Sequence, residues 1–340
     1  MAKRSNKTAK LSSSTILDTA YAFRQSRVLL TAFELGIFTE LGERSKTASD
    51  VSTALGTNQR ATDRLMDALC AMDLLRKKGG KFANTPAAAR FLVKGKPEYL
   101  AGLMHTAHLW NTWTTLTDAV AAGTSVAGRT ATRSGGMNWT EAFIAAMHMR
   151  AYKTAADLVK AIDLKGVRRV LDLGGGSGAY AMAFVRAGKD IRAVILDLPT
   201  VTPLTRDYIE TEKLSDRIQT VDGDYKVDSY GHGYDLVLIS AIIHSNSVET
   251  NKHLFRKSFE ALNPNGQLVV RDHIMSEDRT LPLAGALFSL NMLVGTKEGD
   301  TFTENEIRSW MEEAGFGKIQ RKDLPSGQGL LTGRRLTIDG

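Results

Sequence analysis

The residues of this chain with the clearest chemical meaning are glycines that interrupt an apolar segment near its middle. The apolar run Arg168 to Leu173 predicts a buried parallel strand, and Ala179 to Ala187 predicts the helix that follows. Between them stand Gly174, Gly176 and Gly178, which lack a Cβ and let the backbone turn sharply beside a ligand. A strand, a glycine-rich turn and a helix in this order predict a site for a nucleotide-like molecule.

Two carboxylates indicate which nucleotide-like molecule this turn binds. Asp197 ends the next predicted strand, Ile191 to Leu196, 23 positions after Gly174, where a carboxylate can accept hydrogen bonds from both ribose hydroxyls. The structural alternative is an acidic residue that only caps the following helix. NAD and S-adenosylmethionine (SAM) both satisfy this spacing. Asp172, just before the glycines, favours the cationic SAM because it would repel a pyrophosphate.

The motifs around these carboxylates are similar to those of a known enzyme family. From about Ile16 to its C-terminus, the chain resembles the SAM-dependent O-methyltransferases of the plant caffeate and bacterial acetylserotonin-methyltransferase-like type. The segments that carry the resemblance are Asp172 to Gly178, Leu196 to Pro199, Gly223 to Asp224, and the strand Tyr234 to Ile243, which ends in His244. The resemblance implies methyl transfer to a hydroxyl of a small aromatic acceptor, phenolic or polyketide-like, in secondary metabolism.

The resemblance also assigns cofactor contacts to individual positions. The implied SAM-binding residues are Asp172, Gly174, Gly176, Asp197, Leu198, Asp224, Tyr225 and Ser240. Within this set, Asp197 and Leu198 would hold the ribose, and Asp224 would bind the adenine amino group with Tyr225 stacked beside the ring. Ser240 occupies the position of a family lysine near the adenine.

His244 is the residue that the sequence predicts to take the proton of the acceptor. A phenol has a pKa of about 10, so a base near neutrality accelerates the transfer, typically by roughly 10² to 10⁴. His244 follows a strand at the carboxyl edge of the sheet and matches the general-base histidine of the resembled family; a structural, hydrogen-bonded histidine is the alternative. Asp272 falls where the family places an orienting carboxylate, usually glutamate. His273 should point to the opposite strand face if the strand stays regular.

The acceptor pocket is also implied by the resemblance. Its predicted lining residues are Trp110, Phe143, Met147, Asn291 and Met292. Phe143 and Met147 share one helix face at positions i and i+4, and thioethers and aromatic rings suit a flat acceptor. Each of them is equally compatible with an ordinary core position. No metal site is expected, because His105 and His108 have no cysteine or acidic third ligand beside them.

Three positions depart from the family pattern around the predicted base. Ser245 and Asn246 follow the histidine where the family commonly has an aspartate and an aromatic residue, and a second supporting carboxylate aligns with Thr301. Fewer carboxylates reduce both the basicity and the orientation of a histidine. These departures leave open a SAM-binding enzyme of the same fold with non-methylating chemistry, such as hydroxylation or decarboxylation.

The elements that must position these residues predict an α/β protein. We expect a Rossmann-like SAM-dependent methyltransferase fold, with a seven-stranded and mostly parallel sheet, preceded by a mainly α winged-helix dimerisation domain. The predicted strands are 168–173, 191–196, 217–221, 234–240, 267–272, 316–323 and 329–337. The predicted parts are a disordered basic tail over 1–14, a winged-helix-like dimerisation domain over 15–96, a helical connector lining the substrate pocket over 97–165, and the SAM-binding catalytic domain over 166–340.

The N-terminal part also raises a second hypothesis. Helices at Ala20 to Leu41, Ala48 to Leu55 and Asn58 to Met72, followed by a hairpin at Leu74 to Phe82, have the order of a winged helix-turn-helix. A ligand-sensing DNA-binding regulator is therefore an alternative. Asp63 and Asp67 lie on the third helix, on a face that would have to approach DNA, so nucleic acid is not the expected partner. In the resembled family this module is a dimerisation domain, so the resemblance implies that the partner is a second copy of the chain.

Composition places the chain among ordinary globular proteins. Of its 340 residues, 43% are hydrophobic and 24% charged, and no apolar run approaches the length of a membrane span. The net charge is +7, of which four cations of the N-terminal tail supply more than half. A single cysteine excludes an internal disulfide and fits a reducing compartment, so a cytoplasmic location is expected.

Overall fold

A computed structural model describes residues 12–126 and 139–336 of the chain. It divides into two compact units, with the boundary in the chain between Ala107 and His108, so the predicted connector over 97–165 is shared between them. Residues 1–11 of the predicted basic tail lie outside the described residues. Its last two residues, Ser13 and Ser14, already belong to the first helix.

The N-terminal unit consists of short helices and a small sheet. Its elements are α1 (Ser13–Tyr21), α2 (Phe23–Leu35), α3 (Ile37–Leu41), β1 (Lys46–Thr47), α4 (Ala48–Leu55), α5 (Gln59–Ala71), β2 (Leu75–Lys78), β3 (Lys81–Asn84) and α6 (Pro86–Phe91). The continuous helix predicted over Ala20 to Leu41 is wrong. Gly36 adopts a left-handed conformation (φ 79°), caps α2 and separates it from α3.

The hairpin of this unit pairs with a third short strand. The strand order is β1-β3-β2, and both contacts of β3 are antiparallel. Helices followed by a hairpin confirm the winged-helix-like order. Lys77 of the hairpin donates to Asp67 at 2.7 Å and to Asp63 at 3.4 Å, so the carboxylates of α5 face the hairpin. The absence of DNA binding stays a prediction.

The second unit contains the large sheet and the helices that cover it. Its elements follow α7 (Leu103–Trp113), which crosses the boundary: α8 (Leu116–Ala122), α9 (Trp139–Ala161), β4 (Arg169–Leu173), α10 (Ala179–Ala187), β5 (Arg192–Asp197), α11 (Thr202–Thr211), β6 (Ile218–Asp222), β7 (Tyr234–Ser240), α12 (Val248–Ala261), β8 (Leu262–Asp272), β9 (Ile274–Met275), α13 (Leu283–Gly295), β10 (Phe302–Thr303), α14 (Glu304–Glu313), β11 (Phe316–Asp323) and β12 (Gly329–Arg335).

The predicted seven-stranded sheet is confirmed. Its order is β11-β12-β8-β7-β4-β5-β6; β12 runs antiparallel to both of its neighbours, and the other neighbouring pairs are parallel. Alternate residues of the central strands face opposite sides, so the sheet separates two apolar cores. Val170 and Leu238 belong to one core with residues of α10, while Leu171 and Ile239 belong to the other with residues of α12 and α14. Helices on both faces are the arrangement expected for a parallel sheet.

Phe184 tests how strongly α10 depends on this packing. Its side chain is fully buried between α10 and the sheet. Phe184→Ala removes a large apolar group and leaves a cavity, so we expect the free energy of unfolding to fall by about 3–5 kcal/mol in urea titrations followed by circular dichroism. Val227→Ala, at a position that is 76% exposed, should change it by less than about 0.5 kcal/mol. Equal effects of the two substitutions would contradict this packing.

Candidate active site

The order of the strands determines where a ligand can bind. The chain runs from β4 to β5 and β6 on one side and then returns to β7 on the other side of β4. The carboxyl ends of β4 and β7 therefore border a crevice at the point where the order reverses, the usual ligand site of such sheets. The glycine turn follows β4, and Asp197 ends β5. These predicted cofactor residues thus lie along one edge of the sheet.

The glycine turn is shaped for close approach by a ligand. Gly174 has a φ of +60°, and a Cβ added there would lie 2.5 Å from Ile242 Cδ1 and 3.6 Å from Tyr225 Cε1. Gly176 also has a positive φ, and its N–H donates to Asp197 Oδ2 at 2.8 Å. A side chain at Gly174 would therefore occupy the space between the turn, Ile242 and the Tyr225 ring. The turn and Asp197 form one hydrogen-bonded unit.

Asp197 is held in place by backbone donors and keeps acceptor capacity. Its Oδ2 accepts the Gly176 N–H, and its Oδ1 accepts the N–H of Leu198 at 2.8 Å. Burial raises the pKa of Asp197, and the Gly176 and Leu198 N–H groups oppose this rise. Each carboxylate oxygen has a second lone-pair direction. The residue can therefore accept one hydrogen bond from each of two neighbouring hydroxyls, as a ribose requires.

Asp172 is a buried carboxyl group without a hydrogen-bond partner of normal geometry among the described residues. Burial, and next the charge of Asp197, raise the pKa of Asp172 to about 7, although the Ala181 N–H acts in the opposite direction. A cationic ligand nearby would stabilise its charged form. An orphaned acid beside the glycine turn therefore fits the positively charged SAM and does not fit a pyrophosphate.

The residues predicted to surround the adenine lie on two neighbouring segments. Asp224 closes a turn by accepting the Lys226 N–H at 2.9 Å. The Tyr225 hydroxyl donates to Asn246 Oδ1 at 3.3 Å, and burial raises the pKa of Tyr225 to about 12. The Ser240 hydroxyl at the end of β7 accepts from Arg271 Nη1 at 3.2 Å. At the position of the family lysine, this chain thus has a serine whose oxygen is bound by a buried arginine.

His244 does not end a strand, contrary to the prediction. Strand β7 stops at Ser240, because Ala241 adopts a positive φ of 57° and leaves the extended conformation. His244 lies on the following 3₁₀ turn, Ile243–Ser245. Asn251 Nδ2 donates to the Ile243 carbonyl at 2.9 Å and fixes the turn from α12. The histidine still lies at the carboxyl edge of the sheet.

His244 and Asp272 form a close buried pair, as the sequence predicted. His244 Nδ1 lies 2.8 Å from Asp272 Oδ1 and 3.0 Å from Oδ2, and the two side chains are 11% and 1% exposed. Burial acts to raise the pKa of Asp272, but the charge and hydrogen bond of His244 prevail and the pKa is lowered. Because an ionised carboxylate accepts the Nδ1 proton, Nε2 is the ring nitrogen available as a base.

His273 was expected on the opposite strand face only if the strand stayed regular, and this condition is not met. Strand β8 ends at Asp272, where Oδ1 of Asp272 accepts the His273 N–H at 2.8 Å, so the strand does not continue regularly. The ring of Phe288 lies 4.7 Å from the His244 ring, edge to face, and 4.6 Å from the His273 ring. Phe288, one helical turn before Met292, was missed; its i, i+4 spacing from Met292 was the available signal.

The predicted acceptor residues lie on three helices of the second unit. Met292 is buried on α13, which packs against the 3₁₀ turn of His244. Asn291 Oδ1 accepts the Trp113 indole N–H at 2.9 Å, and Trp110 is half-buried one turn earlier on α7. Phe143 and Met147 are half-buried on α9.

A contact between α9 and the glycine turn was not predicted. His148, the residue after Met147, lies 2.9 Å from the Ser177 hydroxyl through Nδ1 and stacks on Tyr208 at 4.2 Å. Ile144 Cδ1 would lie 3.6 Å from a Cβ at Gly176. The helix that carries two predicted acceptor residues therefore also contacts the cofactor turn. No sequence motif indicated this, because the helix and the turn are far apart in the chain.

The surroundings of the base differ from the family pattern as the sequence indicated. Thr301 is buried, and its carbonyl accepts from Arg279 Nη1 at 2.7 Å. In the part of the chain that the structure describes, Asp272 is the carboxylate that binds the His244 ring.

Over the same residues, no group of three or more His, Cys, Asp or Glu side chains could hold a metal ion. No described helix is long and apolar enough to span a bilayer.

The fold and this site define a nucleoside-binding α/β enzyme with a histidine–carboxylate pair beside the cofactor crevice. Residues 113–317 match the O-methyltransferase domain, and residues 17–94 match the O-methyltransferase dimerisation domain. A 3-hydroxy-5-methyl-1-naphthoate 3-O-methyltransferase from Streptomyces sahachiroi is 30% identical over 327 residues, 94% of both chains. An acetylserotonin O-methyltransferase from Gallus gallus is 31% identical over 88% of this chain and 90% of its own.

A solved structure extends the likeness. PigF with S-adenosylhomocysteine (SAH) superposes with a TM-score of 0.84 at 25% identity, over 95% of this chain and all of the other. The chain therefore belongs to the O-methyltransferase family and is a SAM-dependent enzyme.

The raised pKa of Asp172 predicts a pH dependence of stability. Between pH of about 4 and 7 the folded chain retains a proton that the unfolded chain has lost, so this residue makes the protein less stable as pH rises. The contribution is at most on the order of 4 kcal/mol. We expect Asp172→Asn to gain stability relative to wild type at pH 8 but not at pH 4.5, measured by urea titration.

Other groups titrate in the same range, so the difference between the two proteins at each pH is the informative quantity. The exposed Asp190→Asn should follow the wild-type curve at both pH values. A constant difference between Asp172→Asn and wild type would show that Asp172 is ionised throughout.

Proposed function

We propose that this enzyme methylates a hydroxyl group of a small aromatic acceptor, phenolic or polyketide-like, and that His244 is its general base. The observation that carries the proposal is the buried His244–Asp272 pair at the edge where the cofactor crevice opens. The naphthoate named for the Streptomyces relative is an aromatic hydroxy compound, which supports an acceptor of this class.

The chain's own residues must orient the acceptor and remove its proton. Bound SAM supplies an activated methyl group. Asp272 holds the His244 proton on Nδ1 and stabilises the ring when Nε2 takes the hydroxyl proton. The edge of Phe288 and the low exposure of the pair limit the access of water. Trp110, Phe143, Met147, Asn291 and Met292 would confine the aromatic ring.

The cofactor residues act through fixed geometry. Asp197, locked by the Gly176 and Leu198 N–H groups, would accept the ribose hydroxyls. Gly174 would leave room for the nucleoside beside Tyr225 and Ile242. The remaining positions implied by the resemblance are Asp172 near the cationic end, with Asp224 and Ser240 near the adenine.

A homodimer formed through the N-terminal unit is part of the proposal. Helix α1 has no buried residue, and its apolar side chains Ile16, Leu17 and Tyr21 are each about half exposed. A helix with exposed apolar residues needs a partner surface. The matched dimerisation domain over 17–94 includes most of it. Nucleic-acid binding is not proposed, and the cytoplasmic location stays a prediction.

Non-methylating chemistry is the alternative that Ser245 and Thr301 keep open. Mass spectrometry of the products formed with methyl-labelled SAM separates the two. A labelled methyl ether supports the proposal, whereas a hydroxylated or decarboxylated product without label contradicts it.

Asp197 should dominate cofactor affinity. Asp197→Ala removes both acceptors for the ribose and releases the Gly176 N–H, so calorimetry with SAH should show affinity at least about tenfold lower. Asp197→Asn, which keeps one carbonyl acceptor, should lose less. Wild-type affinity in both variants would contradict the ribose assignment.

His244 should control turnover without controlling cofactor binding. We expect His244→Gln to lower kcat by roughly 10² to 10⁴ with unchanged SAH affinity, because only proton removal is lost. Asp272→Asn should lose less, since its carbonyl can still accept the Nδ1 proton. The readouts are label transfer from SAM to phenols and calorimetry with SAH. Unchanged turnover of His244→Gln would remove it from the mechanism.

A further inference from the structure

We infer that Arg150, together with His273, forms a subsite for a carboxylate group on the aromatic acceptor. The preferred substrate would then be an aromatic hydroxy acid rather than a neutral phenol. This inference rests on the proposed methyl transfer and adds a substrate class to it. Neither residue was among those that the sequence assigned to the pocket.

Arg150 shares a helix face with two predicted acceptor residues. On α9, Arg150 lies seven residues after Phe143 and three residues after Met147. This spacing brings the three side chains to the same side of the helix. Its side chain is exposed, and no described carboxylate lies within ion-pair distance of it. The guanidinium is therefore an uncompensated cation on the pocket side of α9.

Contacts one turn further along α9 show where this face points. Thr154 lies 3.2 Å from the Tyr180 hydroxyl through its Oγ1. The guanidinium of Arg271 lies over the Tyr180 ring, 5.1 Å from its centre. Arg271 and His273 are on either side of Asp272 in the chain. The face of Arg150 is therefore directed at the end of β8 that carries Arg271, two residues before His273.

His273 adds a hydrogen-bond donor at the same place. Its Nδ1 is buried and has no hydrogen-bond partner among the described residues, so Nε2 is the ring nitrogen that a ligand can reach. Burial lowers the pKa of His273. The charge of Asp272 opposes this effect, and the charges of His244, Arg271 and Arg150 lower the pKa further. The ring is therefore neutral at neutral pH, and the tautomer that carries its proton on Nε2 can donate it to a ligand.

Charge around the site favours an anion. Arg150 and Arg271 are cations, and Arg271 is bound to the neutral side chains of Ser240 and Gln328. Asp272 places one negative charge against these two positive charges, and its oxygens already accept from His244 and from the His273 N–H. An additional carboxylate near His273 would thus meet a net positive field. A guanidinium also matches the two oxygens of a carboxylate geometrically.

Phe288 sets the distance between the two ends of such an acceptor. Its ring contacts both the ring of His244 and the ring of His273. An aromatic acceptor packed against Phe288 could present a hydroxyl to His244 and a carboxylate to His273 and Arg150. The subsite would therefore select both the acid group and the ring position that is methylated.

The test compares isomeric hydroxynaphthoic acids with their methyl esters, using the full-length protein saturated with SAH for calorimetry and SAM for label transfer. At least one acid should bind about tenfold or more tightly than its ester. Arg150→Gln should raise KM for that acid about 10- to 100-fold. The KM for the ester should stay within about twofold of the wild-type value. His273→Phe should have a smaller effect in the same direction.

Lys160→Gln is the matched control. It removes one positive charge from the same helix, about 15 Å further along, and should change neither acid nor ester kinetics. An unchanged SAH affinity in Arg150→Gln is expected; a weaker one would mean that the arginine binds the cofactor carboxylate and would overturn the inference. It is also overturned if no acid binds better than its ester. Transfer to neutral phenols in that case leaves the proposed function standing, whereas absence of transfer to every hydroxyl compound counts against both.

Discussion

Parallel hydrogen bonding across β5, β4, β7 and β8 is the constraint on which the whole site depends. Leu173 pairs with Leu196 on one side and with Ile239 on the other, and Ser240 pairs with Arg271. This register brings the cofactor turn, the ribose carboxylate and the histidine–aspartate pair to one edge. A shift of β8 by one residue would exchange the faces of Arg271 and Asp272 and place a guanidinium beside the histidine. The apolar side chains of β8 oppose such a shift, because each of them would move from the core on one side of the sheet to the core on the other side.

Three buried carboxylates at this edge are stabilised in three different ways. Asp272 is kept ionised by a histidine and a backbone N–H. Asp197 is bound by two backbone N–H groups, which oppose the effect of its burial. Asp172 has no comparable partner and is the acid whose pKa rises furthest towards neutrality. The difference separates their tasks, since a fully satisfied carboxylate is a fixed acceptor, whereas an unsatisfied one responds to the charge of its ligand.

The sequence predicted the sheet well because buried strands produce apolar runs that end in glycine or acidic residues. The observed β11 has the predicted bounds, and β7 matches the shorter of its two predicted ranges, 234–240, but does not reach Ile243. Strand β4 begins one residue later than predicted, and β5 is shifted by one residue at both ends. The details beside the base were not predictable. Ala241 takes a left-handed conformation that its residue type does not favour, and the hydrogen bond from the His273 N–H to Asp272 depends on tertiary contacts. The contact of His148 with Ser177 joins elements that are distant in the chain.

The conformation of Ala241 determines how His244 reaches the short carboxylate of Asp272. On a regular strand, His244 would extend along the direction of β7, away from a short side chain on β8. The left-handed residue and the 3₁₀ turn instead bring the ring back over the end of β8, to within hydrogen-bonding distance of both oxygens of Asp272. At this edge the rings of both His244 and His273 contact Phe288, so the turn that supports the base places it against the same aromatic side chain as the residue after Asp272.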